Sequence, residues 1–221
     1  MVKETTLANN GMNLLKNIIK EKCIMSELYV PIDNVYNEMI VQYALRNRKI
    51  CLNEDFNEVS MFKMRYYIEK IKNIDDQKNI PYGDREPIEI VINSYGGQIY
   101  EMLGTLSLIE HYKKEYKYTF ITTLTGKAMS CGAVLFLFGD IRRMYSYGTL
   151  LFHQLSTTNW GNYEQLKVSF EENTRLQNLL DKIIVEKTNI PSGMLKEKTK
   201  GLDWYISPEE CIKLGIATEV I

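Results

Sequence analysis

From Arg48 onward, short runs of β-branched, aromatic and aliphatic residues alternate with longer stretches in which apolar positions recur every three or four residues. The first pattern predicts strands, the second helices. A strand is expected over 49–52. Over 57–72, Met61, Met64, Ile68 and Ile71 share one helical face, so a helix is expected there. A charged surface loop, punctuated by Pro81 and Gly83, is expected over 75–86. Residues 87–92 hold Ile88, Ile90, Val91 and Ile92, a run suited to a strand buried on both faces. The pattern then gives a helix over 99–114, a strand over 118–124, an apolar helix over 133–138, and strands over 143–147 and 149–153. The longest expected helix covers 162–187, with Leu166, Phe170, Leu176, Leu180 and Ile184 among the residues of its apolar side. Two short helices and a strand over 217–221 follow. Such alternation implies an α/β fold around a largely buried sheet.

Residues 1–35 read differently from the domain expected over 36–221. Met12, Leu14, Leu15, Ile18 and Ile19 recur at helical spacing with Lys16, Lys20 and Lys22 between them. This N-terminal extension suits an amphipathic helix packed on its own domain or on a neighbouring subunit. A mobile segment that gates or docks something fits the same pattern.

Composition narrows the function classes. A formal net charge of -1 supplies no basic field, which argues against nucleic acid and anionic membrane as partners. The longest apolar stretch, around 133–138, falls far short of the ~20 residues that span a bilayer. Cys23, Cys51, Cys131 and Cys211 are widely separated and His111 and His153 are the only histidines, so no metal-ligand spacing is present and neither metal nor cofactor is expected. Isolated thiols suit a reducing compartment. No signal-type apolar region follows residues 1–10, so a cytoplasmic location is expected.

Three segments carry candidate chemistry. In 122–134 a β-rich run meets small residues (Gly126, Ala128, Gly132, Ala133) around Ser130, and an apolar helix leaves. Such a turn projects a hydroxyl and aims free helix N-terminal N–H groups at whatever it attacks, although a serine there also serves as an ordinary helix cap. Asn93-Ser94-Tyr95-Gly96-Gly97 follows a buried strand. Its two glycines permit positive φ and expose N–H groups that suit an oxyanion or an extended peptide, or simply make a tight turn. His153 ends an apolar run and precedes a polar loop, where an imidazole serves as a general base or as a hydrogen-bonded core group. His111, in a charged helix end, is the weaker candidate. Asp203, flanked by Leu202 and Trp204 as shields from water, is a candidate acid, with Asp181 and Asp140 left open.

Taken together these motifs resemble the Clp protease proteolytic subunit (ClpP) family. Asn93-Ser94-Tyr95-Gly96-Gly97 is similar to the family's Asn-Ser-Pro-Gly-Gly, and Ala128-Met129-Ser130-Cys131-Gly132-Ala133 to its Ala-Ser-Met-Gly-Ala. Phe152-His153-Gln154 is similar to Ile-His-Gln, and the stretches opening at Asp203 and Leu214 resemble the family's C-terminal segments. The resemblance implies a ClpP/crotonase-type fold with a long handle helix. It gives Ser130, His153 and Asp203 the catalytic roles, and the N–H groups of Gly97 and Cys131 the oxyanion hole. Gly96, Gly97 and Leu155 become substrate-binding. It further implies a homo-oligomer of stacked heptameric rings enclosing a chamber, fed with unfolded polypeptides by an AAA+ ATPase. Departures stand out: Tyr95 replaces proline, Gly201-Leu202 stand where the family has Asp-Arg before the triad aspartate, the family's glycine-rich loop after His-Gln-Pro becomes Leu155-Ser156-Thr157-Thr158-Asn159-Trp160-Gly161, and an extra N-terminal stretch precedes the family-like start. The rival expectations are a stand-alone processing peptidase of the capsid-maturation kind, a non-catalytic ring partner, and a crotonase-like acyl-CoA enzyme.

Overall fold

Helix α1 (Ile32–Asn47) opens the part of the chain that the computed structural model describes, residues 32–221. The amphipathic pattern at 12–19, and Cys23, lie outside the described residues. The chain divides into two units between Gln42 and Tyr43, and the second, Tyr43–Ile221, carries everything that follows.

Strand β1 (Lys49–Leu52) leads to helix α2 (Glu58–Gln77), capped by Asn57, whose side chain accepts from the N–H groups of Val59 and Ser60. The helix runs five residues beyond the expected end, so Asp75 is not on a surface loop but buried. The cause is electrostatic: Arg48 donates to both carboxylate oxygens of Asp75 at 2.8 and 2.9 Å, and the Tyr118 hydroxyl donates at 2.6 Å. Burial alone would raise this carboxyl, but the Arg48 and Tyr118 bonds outweigh it and hold it below the usual carboxylate range. Arg85 donates to the Tyr118 oxygen, closing a buried polar cluster.

Strand β2 (Ile88–Ser94) is followed by helix α3 (Ile99–Tyr116) and strand β3 (Phe120–Met129). β3 is ten residues long and runs five residues beyond the end that the apolar pattern predicts, because Lys127, Ala128 and Met129 pair with β5 and Ala128, after a shift in register, with Ser94 of β2. Its first half pairs with β4 (Ile141–Met144) and its second half with β5 (Thr149–Phe152). Between β3 and β4 lies the short helix α4 (Cys131–Phe136), buried throughout. Helix α5 (Tyr163–Lys187) begins at an Asn162 capping box. Of its expected apolar side only the C-terminal part is covered; Leu176 and Ile184 are buried, whereas Leu166 and Phe170 are exposed. Helix α6 (Ser192–Thr199), strand β6 (Trp204–Ile206), helix α7 (Pro208–Lys213) and strand β7 (Glu219–Val220) complete the fold. Three-residue β6 carries no apolar alternation long enough to register as a strand.

The sheet order β1-β2-β3-β4-β7 is parallel throughout, with β5 parallel to β3 and β6 antiparallel to β5. Ile88, Ile90, Ile92, Phe120, Leu124 and Ala128 are fully buried at its centre, consistent with a sheet covered on both faces. In such sheets ligands bind beyond the carboxyl ends of the strands. Here those ends present the residues following β2, β3 and β5, and the antiparallel β6 brings its own N-terminal end to the same edge.

Candidate active site

Ser130 follows β3 directly and precedes α4 directly, with no intervening loop, so the turn expected over 126–132 contracts to one residue. Its backbone sits at φ 54°, ψ −121°, a region that costs a non-glycine residue on the order of 1–3 kcal/mol. Three hydrogen bonds hold it there: Ser130 N–H donates to Leu151 C=O, and Ala133 and Val134 N–H donate to Ser130 C=O. Its side chain makes no capping bond to α4, which removes the ordinary-cap explanation for a serine here. Instead Ser130 Oγ lies 2.8 Å from His153 Nε2.

His153 stands one residue past β5, and Asp203 one residue before β6. The β5–β6 register pairs Leu150 with Ile206, Leu151 with Tyr205 and Phe152 with Trp204, so His153 and Asp203 occupy the next rung. Their separation, Nδ1 to Oδ1, is 3.7 Å, beyond a hydrogen bond. The Asp203 side chain is 54% exposed and Leu202 is exposed too, so the expected shielding of this pair by Leu202 is not found. The cause is the turn at Gly201, which carries Leu202 outward. Asp140 instead accepts from Phe120 N–H and Lys113, and Asp181 from Gln177. His111 is exposed on α3, edge-on to the rings of Tyr112 and Tyr116.

Gly96 and Gly97 adopt φ 111° and 139°. A Cβ on Gly96 would come within 2.7 Å of Ser130 Cβ, and one on Gly97 within 2.5 Å of Phe56 C=O. Phe56, buried just before the Asn57 cap, pairs with this segment: Phe56 N–H donates to Gly96 C=O at 2.7 Å and Gln98 N–H to Phe56 C=O at 2.8 Å. The Gly97 N–H, skipped by that bridge, has no backbone acceptor among the described residues; nor has the N–H of Cys131, first residue of α4. The Cys131 thiol donates to Gly97 C=O at 3.2 Å, tying the two segments together. Burial pushes this thiol up to about 11, so beside Ser130 it stays protonated and poorly nucleophilic near neutral pH.

A cavity of about 740 Å³ opens beside Ser130, with Gly97, Leu155 and His153 at its edge. Met102, Val134, Phe152, Leu176 and Ile184 give it an apolar lining. Two contributors escaped the sequence reading: Phe56, whose only signal is a lone aromatic before a helix cap, and Gln177, a polar residue without a distinguishing pattern. Among the described residues no cluster of His, Cys, Asp or Glu is arranged to hold a metal ion, and no helix is long and apolar enough to cross a membrane.

The ATP-dependent Clp protease proteolytic subunit of Deinococcus radiodurans is 30% identical over 138 residues, covering 62% of this chain and 65% of that protein. Proteolytic subunit 1 of Prochlorococcus marinus is 29% identical over 135 residues, 60% of this chain and 66% of its own. Proteolytic subunit 1 of Synechococcus sp. (strain CC9902) is 26% identical over 184 residues, 82% of this chain and 87% of its own. The matched stretch thus spans just under two thirds of the first two relatives. The family model for Clp protease matches residues 33–221, which takes in every strand of the sheet, and the chain belongs to that family.

Proposed function

We propose that the chain is a serine endopeptidase with Ser130 as nucleophile, His153 as general base and Asp203 as the group that orients the imidazole. The observation that carries the reading is the 2.8 Å contact between His153 Nε2 and a Ser130 hydroxyl held on a strained, otherwise uncapped turn. Ser130 Oγ attacks a peptide carbonyl as its proton passes to His153 Nε2, and the N–H groups of Gly97 and Cys131 receive the oxyanion. Each such donor is worth on the order of 3 kcal/mol of barrier. The imidazolium returns its proton to the departing amine, and water, deprotonated by the same imidazole, releases the acyl group. Asp203 completes the relay by closing the 3.7 Å gap to Nδ1 when substrate is bound, since catalytic hydrogen bonds tighten in the complex. The cavity beside Ser130 takes an apolar side chain of the substrate, whose backbone lies along Gly96, Gly97 and Leu155.

The proposal extends to a cytoplasmic homo-oligomer of stacked heptameric rings, degrading unfolded polypeptides delivered by an AAA+ unfoldase. Family membership supports this, as do the exposed Trp160, Tyr163 and Phe170, just before and within the first turns of α5, an apolar set suited to burial between subunits. Native mass measurement gives the ring number. Casein degradation with and without a cognate unfoldase and ATP separates this machine from a stand-alone processing peptidase. For the chemistry, Ser130→Ala abolishes cleavage of a fluorogenic peptide while the assembly keeps its native mass. Undiminished cleavage by that variant would falsify the assignment.

A further inference from the structure

The segment after His153 is tied to α5 by one side chain. Leu155 N–H donates to Gln177 Oε1 at 2.7 Å, and Gln177 Nε2 donates to Asp181 Oδ1 at 2.7 Å. Both bonds are partly buried, and Leu155, Gln177 and Asp181 all line the cavity beside Ser130. An amide can present either end to a neighbour; Asp181, one helical turn along, accepts from the NH₂ and so turns the Gln177 carbonyl toward Leu155. The bond needs an N–H at position 155. A proline, the residue that the resembling His-Gln-Pro motif carries there, has none.

His153 needs such a tie. It lies beyond the last rung of the β5–β6 ladder, so no strand hydrogen bond fixes the backbone that follows it. The Asp203 carboxylate, at 3.7 Å and half exposed, does not fix the ring either. Two residues away, the strap to α5 is a partly buried restraint on that side. Gln154 adds a weaker, exposed one, its Oε1 accepting from Gly201 N–H at 3.2 Å.

We infer that Gln177, aimed by Asp181, is a positioning residue for His153: by holding the Leu155 backbone against α5 it keeps Nε2 in line with Ser130 Oγ. The inference rests on the Ser130–His153 reading. It also makes the placement of the base depend on the placement of α5, so that a shift of this helix reaches the proton relay through one amide.

The test is a double-mutant cycle on the full chain, read with a fluorogenic peptide, a fluorophosphonate label and thermal melting. Gln177→Leu lowers kcat by about tenfold to a hundredfold, the scale of a misplaced catalytic group, with KM and the melting temperature little changed. Leu155→Pro, which removes the N–H donor together with the leucine side chain at the cavity edge, also lowers kcat. Because both remove the same bond, the double variant is no slower than the slower single one. Gln177→Glu keeps the acceptor oxygen but sets a carboxylate against Asp181; adding Asp181→Asn restores kcat. Additive losses in the cycle, an unchanged kcat in Gln177→Leu, or a rise in KM alone would each overturn the positioning role. So would a loss of melting temperature with kcat intact. If the unaltered chain is not labelled at Ser130, the hydrolase reading itself fails and this inference with it. Labelling of the unaltered chain with unaffected kcat in the variants defeats only the strap.

Discussion

Replacing Gly97 by alanine probes the proposed oxyanion hole and the fold that builds it in a single step. The new Cβ would stand 2.5 Å from Phe56 C=O and 2.6 Å from Phe56 N, so about 0.9 Å of movement is needed to bring 2.5 Å back to the 3.4 Å of ordinary contact. Both clashing atoms are backbone, and Phe56 is buried and doubly bonded to this segment, so it is Gly97 that yields. The φ of 139° adds strain on the order of 1–3 kcal/mol for a residue with a side chain. For a chain of this size that lowers the melting temperature by roughly 2–12 °C. Losing the aim of one oxyanion donor lowers kcat by about 10²- to 10³-fold. Initial rates on a fluorogenic peptide, with a melting curve on the same sample, measure both. Gly83→Ala is the control, since a Cβ there meets nothing within 4 Å, and it leaves both unchanged. A Gly97→Ala variant that retains most of the parent's kcat would refute the assignment of its N–H.

Other consequences follow from the same geometry. Ser130→Gly relieves the strain at φ 54° and, while inactive, gains on the order of 1–3 kcal/mol over Ser130→Ala in denaturant unfolding; equal stabilities would count against stored strain. Asp75→Asn leaves the Arg48 guanidinium without its counter-charge and costs about 3 kcal/mol. Because the folded Asp75 carboxyl sits below its unfolded value of about 3.9, its contribution is full above that pH range. It is lost as pH falls through the lowered folded value, so the wild-type and Asp75→Asn stability curves converge in acid. Cys131, pushed up to about 11 by burial, resists iodoacetamide in the native chain at pH 8 while exposed Cys51 is alkylated first. Equal rates at the two thiols would contradict the burial argument. The same shift gives Cys131 a stabilising contribution complete below about pH 9 and lost as pH rises toward 11.

The sequence made most of this edge of the sheet legible, for reasons specific to each residue. Ser130, His153 and the glycine pair stood where apolar runs stop abruptly, and in a parallel sheet those stops are the carboxyl ends of strands. Asp203 is chosen over Asp181 and Asp140 only by the resemblance, and the strand β6 that follows it is not legible at all, because three residues around Tyr205 give no periodicity to read. The extent of β3 was hidden for a related reason: Gly126 and Lys127 are poor strand formers, and it is the pairing of Lys127, Ala128 and Met129 with β5 that carries the strand past them. Asp75 looked like a loop residue because its partners, Arg48 and Tyr118, are 27 and 43 residues away. Gln177 and Phe56 likewise act through contacts with sequence-distant backbone, which no local pattern announces.

The most direct test of the central claim is to treat the chain with a fluorophosphonate and map the adduct by mass spectrometry. The Ser130–His153 pair predicts a single adduct, on Ser130, that disappears when His153 is changed to alanine. An unlabelled native chain, an adduct on another serine, or equal labelling without the imidazole would contradict it.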